Sequence, residues 1–291
     1  MTERFYYGGQ AVIEGVMMRG RKTMVTVVRR PDGELAIDTQ PLPSIYTGWM
    51  RRVPFLRGVI VLIEALVLGI KTLLYSANVS LEEEKAEISG WLVWAMVTVS
   101  LAFAIALFFM VPLFLTRLLD PYIRSSLVFN LIEGCLRLAI FIAYLKLITL
   151  LPDVKRIFAY HGAEHKAVNA YEAGVPLEVE AVRRYDTAHV RCGTSFLFAV
   201  LIIAIIVFAL IGRPALWVMV VSRILLIPVI AAIGYEVTRF GAGHSQNTFV
   251  RALQAPGLWL QSLTTREPDD SQLEVAVSAL KKAVEADQTE G

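Results

Sequence analysis

The segment YHGAEHKAVNAYEAG, at residues 160–174 of this 291-residue chain, contains the residue types best suited to chemistry. His161 and His165, two of the four histidines, are four residues apart with Glu164 between them. At about 100° per residue, a helix places both imidazoles and the carboxylate on one face. Two histidines one turn apart can bind one divalent cation, and the order His-x-x-Glu-His matches the inverzincin pattern, in which the glutamate is the base toward a metal-activated water.

A catalytic zinc site needs a third protein ligand and one open position. Glu172 shares the helical face but lies roughly 10 Å beyond His165 along the axis, so we expect it to support the site without binding the ion. The candidates for the third ligand are His189 first, Cys192 second and His244 third, since the first two lie in the same segment. The alternative interpretation is a polar helix whose histidines only hydrogen-bond to neighbouring loops.

The rest of the sequence is typical of a membrane protein, because 56% of its residues are hydrophobic and only 19% are charged. A helix that crosses a bilayer needs about 20 apolar residues. Four runs are predicted as spans: residues 91–115, 127–151, 194–211 and 215–235. The first and third contain no charged residue, and Pro228 is expected to kink the last.

Residues 53–75 are also long enough to span, but Arg57, Glu64 and Lys71 recur every seven residues and form one charged stripe. This pattern favours an amphipathic or re-entrant helix. Eight Lys/Arg lie in residues 1–52, six in 152–193 and five in 236–291. The positive-inside rule therefore favours four spans, with these segments and both termini in the cytoplasm.

Shorter elements are predicted at both ends of the chain. Two β-prone runs flank the turn Pro31-Asp32-Gly33 and predict a hairpin, to which GGQAVIEGVMMRG could add a strand. Residues 249–263 are expected to lie at the interface. Ser271 to Glu274 has capping-box spacing and precedes an apolar helical face formed by Leu273, Val277, Leu280 and Val284.

The predicted fold class is a mainly α polytopic membrane protein, with four transmembrane helices, an amphipathic or re-entrant helix, a small cytoplasmic β-hairpin element and a cytoplasmic helix that carries the HxxEH motif. The predicted parts are a β-rich element (1–52), the amphipathic helix (53–75), an acidic linker (76–90), two spans (91–151), the metal-site segment (152–193), two more spans (194–235) and a cytoplasmic and interfacial C-terminal region (236–291).

Charged residues inside the predicted spans are functional candidates, although structural pairs are the commoner case. Glu133 and Arg137 are four residues apart and can pair, whereas Arg223 has no local partner and could reach Glu133 or Glu64. The two cysteines give no disulfide framework, and the net charge of +2 gives no indication of nucleic-acid binding. The first ten residues lack an apolar core, so no cleavable signal peptide is expected.

Four stretches, GGQAVIEGVMMRG, YHGAEHKAVNAYE, HVRCGTSF and REPDDSQLEVAV, together resemble the YqhQ-like family of bacterial multipass membrane proteins, a domain of unknown function described as metal-dependent. The resemblance covers nearly the whole chain and implies a location in the bacterial cytoplasmic membrane. Val190 departs from the family pattern, which has proline after the histidine. The positions that the resemblance marks are Gly9, Gln10, Glu14, Gly15, Arg19, His161, Glu164, His165, Asn169, Glu172, His189, Arg191, Cys192 and Gly193.

The first functional hypothesis is a zinc-dependent hydrolase at the cytoplasmic membrane surface, with Glu164 as the base, acting on a membrane-bound peptide or lipid. In this hypothesis Glu14 and Arg19 line the pocket, and Asn169, Glu172, Arg191 and His244 support the site or contact substrate. The second is a non-enzymatic scaffold, assembly factor or regulator with a structural metal ion. Transport through the bundle is a third hypothesis and the least favoured, since no inverted repeat is evident. The sequence leaves open whether the chain forms a homo-oligomer.

Overall fold

The computed structural model describes residues 5–81, 90–244 and 246–289 and begins with an antiparallel sheet. Its four strands run in sequence order: β1 (Gly8–Val12), β2 (Gly15–Arg19), β3 (Thr23–Arg29) and β4 (Leu35–Pro41). The predicted hairpin is confirmed as β3 and β4, and Gly33 in their turn has a φ of 91°. The glycine-rich stretch before it forms two strands, β1 and β2, which are joined at Glu14.

Helices make up most of the remaining described chain. Their bounds are α1 (Ser44–Thr47), a 3₁₀ turn (Trp49–Arg52), α2 (Leu56–Ser80), α3 (Gly90–Ile105), a π turn (Ala106–Met110), α4 (Val111–Arg117), α5 (Ser126–Ile148), α6 (Pro152–Glu172), α7 (Val179–Val182), α8 (Gly193–Ile211), α9 (Leu216–Leu225), α10 (Ile227–Gly243), α11 (Thr248–Gln261) and α12 (Asp270–Thr289). The predicted acidic linker falls mostly on residues 82–89, which lie outside the described residues.

Several helices are long and apolar enough to cross a membrane, which indicates membrane association. Three qualify alone: Leu56–Ser80, Gly90–Arg117 and Gly193–Ile211. Two bent pairs bring the number to five if each pair is one span. The predicted span 215–235 is one of these pairs, α9 and α10, bent by 49° where Pro228 begins α10. The other pair is α5 and α6, which meet at an angle of 101°, and α6 begins at Pro152.

The sheet is covered on both faces, which explains why β2 and β3 are almost continuously buried. On one face, Met18 and Val25 belong to a core shared with α6 and α12. On the other face, Met17 and Met24 pack with Ile60 and Leu68 of α2. Alternate residues of a strand point to opposite faces, so neighbouring methionines serve different layers. The sheet thereby holds α2 and α6 on its opposite faces.

Helix α12 docks through the predicted apolar face, since Leu273, Val277 and Leu280 are buried in the sheet core. Its predicted N-terminal cap is wrong. Asp269 caps the helix, because its Oδ1 accepts from the Gln272 N–H at 2.9 Å and its own N–H donates to Gln272 Oε1 at 3.0 Å. Because the helix starts at Asp270, the predicted cap residue, Ser271, lies two residues after the actual cap.

Three charged residues of the predicted spans form one buried cluster. Glu133 accepts from Arg137 at 2.5 Å and from Arg223 Nε at 3.0 Å, and all three are at most 1% exposed. Arg137 also donates to the Phe108 carbonyl of the π turn at 2.9 Å. Arg223 therefore meets Glu133, one of the two partners considered from the sequence, whereas Glu64 pairs elsewhere. These bonds support a structural role for the charges in the predicted spans.

Candidate metal centre

Helix α6 presents two adjacent stripes of side chains. Tyr160, Ala163 and Ala167 are fully buried against the sheet and α12. His161 and His165 lie on the neighbouring stripe and line a cavity, with ring centroids 4.4 Å apart. Small residues on the core stripe let the helix approach the sheet closely, and this approach brings the imidazoles beneath β1.

Both histidines are oriented by backbone carbonyls. The Nδ1–H of His161 donates to Thr264 O at 2.8 Å, and the Nδ1–H of His165 donates to Thr187 O at 2.6 Å. A carbonyl can only accept, so these bonds fix the tautomer of the neutral ring and leave its Nε2 with a free lone pair. Metal-binding histidines in proteins are commonly held in this way.

Cys192 brings a sulfur atom to the two imidazoles. It caps the N-terminus of α8, and its Sγ lies 3.2 Å from His161 Nε2 and accepts from the Thr194 N–H at 3.3 Å. One potential ligand atom from each of His161, His165 and Cys192 lies within 4.8 Å of the other two. Zinc binds nitrogen at about 2.0 Å and sulfur at about 2.3 Å, so tetrahedral ligands lie roughly 3.5 Å apart. The 3.2 Å separation of His161 Nε2 and Cys192 Sγ is near that spacing, and the three candidate ligand atoms lie within 4.8 Å of one another.

The electrostatics of the cluster favour an ionised thiol. Burial opposes ionisation of Cys192, but hydrogen bonds and positive charge from His161 and His165 outweigh it, so the pKa of Cys192 lies well below its usual range. Burial likewise opposes protonation of His161, yet its contacts with Cys192 and the charge of Glu164 raise the pKa of His161 to about 9. A thiolate and an imidazolium therefore share a proton that a divalent cation could replace.

Glu164 lies at the wall of the same cavity and is 5% exposed. Its Oε1 accepts from the Gly9 N–H of β1 at 2.8 Å. A side chain at position 9 would collide with the Met17 carbonyl of β2 at 2.0 Å, so the observed pairing of β1 with β2 needs glycine here. The sheet therefore orients the carboxylate that the sequence analysis assigned as the base.

His189, the preferred third ligand from the sequence, lies beside the cluster and not within it. Its ring is 5.7 Å from that of His165, and its Nε2 is 3.6 Å from a Glu172 carboxylate oxygen. Burial, and to a smaller extent the positive charge of His165, lower the pKa of His189 to about 4. Glu172 also forms an ion pair with Arg191. The structure thus brings Cys192, the second candidate, to the two histidines.

The other sequence-predicted residues have separate places. Asn169 donates to the carbonyls of Asp186 and Ala188, at 2.9 and 3.0 Å, and so holds the 186–188 loop. Glu14 lies away from the cavity lining and pairs with Arg156. His244 stacks on Phe240, donates to its carbonyl at 2.9 Å and lines a different cavity.

The cavity over the cluster has a volume of about 320 Å³ and lies between α2, β1, β2, α6 and the start of α8. Arg19 and Arg191 line it, together with Glu64 of α2. Arg19 Nε donates to Glu64 Oε1 at 2.9 Å, and Arg51 forms an ion pair with the same carboxylate. The predicted contribution of the N-terminal element to the pocket therefore comes from Arg19 and from the backbone of β1.

Sequence reasoning missed the groups that position the ligands. Thr187 and Thr264 act through backbone carbonyls, which no side-chain pattern reveals. Gln261 makes two hydrogen bonds with the backbone of His189, at 2.7 and 3.0 Å. Gly162 was an available signal, because a small residue inside the motif allows the close contact with the Arg266 carbonyl.

Fold and site together define a mainly helical, membrane-associated protein with a histidine and cysteine cluster beneath a small antiparallel sheet. The chain belongs to the family described as protein of unknown function (DUF1385), whose pattern matches residues 53–286. It is 37% identical over 292 residues to the uncharacterized protein YqhQ of Bacillus subtilis (strain 168), covering 95% of this chain and 91% of that protein. This confirms the family resemblance drawn from the motifs. No solved structure shows significant similarity to the chain.

Proposed function

We propose that His161, His165 and Cys192 bind one zinc ion, and that the protein is a metal-dependent hydrolase acting on a membrane-associated substrate at the cytoplasmic membrane surface. The observation that carries this proposal is the orientation of the two imidazoles. Their Nδ1–H groups donate hydrogen bonds to backbone carbonyls, so their Nε2 atoms are left to face the Cys192 thiolate. A thiolate with two imidazoles is a donor set that suits zinc and leaves a fourth position open.

A zinc ion would supply Lewis acidity toward a substrate oxygen and toward the attacking water. Glu164, fixed by the Gly9 N–H, would accept the proton from that water and return it to the leaving group. Arg19 and Arg191 at the cavity wall would orient an anionic or carbonyl group of the substrate. Burial of the cluster beneath the sheet limits access by bulk water.

The four-span topology remains part of the proposal. Its support is the basic character of the segments that carry the sheet, the cluster and α12, because the positive-inside rule favours the cytoplasm for such segments. The packing of α2 lengthwise along the sheet, from Ile60 to Val79, supports a helix that lies at the membrane surface. Its buried Glu64 faces Arg19 of the sheet.

Metal analysis tests the binding site directly. We expect about one zinc per chain in detergent-purified protein, because buried thiolate and imidazole ligands bind zinc tightly at neutral pH. After replacement by cobalt, the wild type should show a thiolate-to-cobalt charge-transfer band that Cys192→Ser loses, whereas His244→Ala should retain both metal and band. Less than about 0.1 ion per chain after purification without chelator would refute the metal site.

Glu164→Gln separates the hydrolase from the non-enzymatic alternative. If Glu164 is the base, this variant keeps its zinc, and its rate of hydrolysis of chromogenic esters or phospholipid is roughly 10²- to 10⁴-fold lower than that of the wild type. Glu180→Gln, an exposed glutamate on α7, is the matched control with unchanged rate. Loss of metal or of folding in Glu164→Gln would contradict the hydrolase role.

The structural alternative is favoured by one observation. The ligands come from α6 and the start of α8, and their carbonyl partners come from two further segments, so an ion would tie four parts of the chain together. In that case zinc removal lowers the unfolding temperature, and wild-type protein hydrolyses none of the ester or phospholipid probes.

A further inference from the structure

A second cavity lies beside the one that holds the metal cluster. It has a volume of about 780 Å³ and is bounded by the edge of the sheet, residues 46–52, the start of α2 and the end of α10. Six arginines line it: Arg19, Arg21, Arg51, Arg52, Arg57 and Arg239. The remaining lining residues are uncharged in the described part of the chain. We call it the basic cavity.

In the part of the chain that the structure describes, the carboxylates near the basic cavity are fewer than its guanidinium groups. Glu64 is shared by Arg19 and Arg51, and Glu236 pairs with Arg57. Asp287 accepts from the backbone N–H of Arg21 at 2.9 Å. Within the described residues, six cationic side chains thus lie near three carboxylates. Such an excess of positive charge in a concave site attracts anions and is stabilised by binding one.

Guanidinium groups select a particular kind of anion. Their planar fork of N–H donors matches the oxygens of a phosphate group and can form paired, charge-assisted hydrogen bonds with it. Arg52 and Arg239 are exposed lining residues from different elements, one in the 3₁₀ turn and one near the end of α10. They can therefore turn toward a phosphate that enters from the surface.

Exposed aromatic residues lie within two positions in the sequence of residues that line the basic cavity. Trp49 is 68% exposed, Phe55 57% and Phe240 61%. Phe55 has a φ of 63°, a conformation rarely adopted by a bulky residue, and its N–H donates to Glu236 Oε1 at 3.0 Å. Aromatic rings beside arginines are typical of the membrane interface, where rings enter the headgroup layer and cations contact phosphates.

We propose that the basic cavity binds the phosphate ester headgroup of an anionic phospholipid and presents it to the candidate metal centre. Arg19 and Arg51 line both cavities, so a bound headgroup would lie next to the space over the histidines. The exposed aromatic side chains next to the lining residues favour a lipid over a water-soluble phosphate ester, because only a lipid can also contact this apolar surface. The role of the headgroup as substrate rests on the proposed function, whereas its binding does not.

The test measures ligand binding to the full-length protein in a non-ionic detergent, through the thermal unfolding shift during titration. The probes are short-chain phosphatidylglycerol, phosphatidylcholine of the same chain length, and glycerol phosphate. We expect phosphatidylglycerol to bind at least about tenfold more tightly than the other two. The arginines repel the choline cation of phosphatidylcholine, and glycerol phosphate lacks the acyl chains that would contact apolar surface. Equal binding of phosphatidylcholine would overturn the anionic specificity, and equal binding of glycerol phosphate would overturn the assignment to a lipid.

The double variant Arg52→Gln/Arg239→Gln should weaken phosphatidylglycerol binding by at least about tenfold and keep its zinc. Arg184→Gln/Arg266→Gln removes the same charge from exposed positions outside the basic cavity and should bind as the wild type does. An unchanged affinity in the first variant, or an equal loss in the second, would overturn the proposal.

His161→Ala distinguishes this proposal from the metal site. This variant should lose zinc and retain phosphatidylglycerol binding, because it leaves all six arginines in place. If zinc proves absent from the wild type while the arginine variant still loses lipid, the proposed function fails and the basic cavity stands. Loss of lipid binding in His161→Ala would instead show that the metal centre, and not the basic cavity, holds the headgroup.

Discussion

Gly162→Ala tests whether the packing of α6 sets the geometry of the metal ligands. A Cβ atom at position 162 would lie 2.0 Å from the Arg266 carbonyl oxygen, and such contacts are essentially never shorter than 3.0 Å. The segment that contains Thr264 and Arg266 must therefore retreat by about 1 Å. The same movement stretches the 2.8 Å bond from His161 Nδ1 to Thr264 O to roughly 3.8 Å, which is no longer a hydrogen bond.

The expected result follows from the loss of that orienting bond. Removing the partner of a metal-binding histidine typically costs 10- to 100-fold in metal affinity, so Gly162→Ala should weaken zinc binding by about that factor. The crowded contact should also cost about 1–3 kcal/mol of stability. The assay is zinc competition against a chromogenic chelator in detergent, together with thermal unfolding of the metal-free protein.

Gly193→Ala is the matched control. Gly193 follows Cys192 at the start of α8, and a Cβ atom there would meet nothing within 4 Å. Alanine should be tolerated or slightly stabilising in that helix, with zinc affinity unchanged. A Gly162→Ala protein that is folded and binds zinc as tightly as Gly193→Ala would refute the idea that the carbonyl contact positions the imidazole.

Two further outcomes are expected. In zinc-free Cys135→Ser protein, alkylation of Cys192 should stay fast as pH falls from about 8 to 6, because the lowered pKa of Cys192 keeps it a thiolate. Adding His161→Ala should make the alkylation rate rise steeply with pH. A steep rise in the protein that retains His161 would contradict the ion pair between Cys192 and His161. Glu133→Gln should lower the free energy of unfolding by about 3–5 kcal/mol, because it leaves two buried arginines without their carboxylate. The control Lys146→Gln, at an exposed position on the same helix, should change the unfolding temperature little. Equal unfolding temperatures for the two variants would refute a structural role of Glu133.

The local elements of this chain follow well from sequence because their determinants are local. The hairpin turn at Gly33 and the apolar runs of α3 and α8 depend on residue order within a few turns. The bend at Pro228 is also local, because proline cannot continue the hydrogen bonding of the preceding helix. The prediction of the α12 cap was wrong because two acidic residues and a serine in succession offer three possible cap residues, and packing selects Asp269.

The candidate site shows where local reasoning ends. The helical spacing of His161 and His165 is a property of the sequence alone, and the structure has both rings on one face of α6. His189 and Cys192 are only three residues apart, so spacing could not rank them as ligands. The start of α8 turns the Cys192 sulfur toward the imidazoles, while Glu172 and Arg191 surround the ring of His189.

The sequence by itself determined the family, the membrane-compatible helices and the pairing of two imidazoles with a carboxylate, since each depends on residue type and helical or strand periodicity. The tertiary structure alone decided that Cys192 joins the pair, that Gly9 orients Glu164, and that six arginines from both ends of the chain enclose one cavity. The physical reason is that hydrogen bonds to backbone atoms and the convergence of distant charges arise from packing, and packing between segments far apart in the chain leaves no periodic pattern in the sequence.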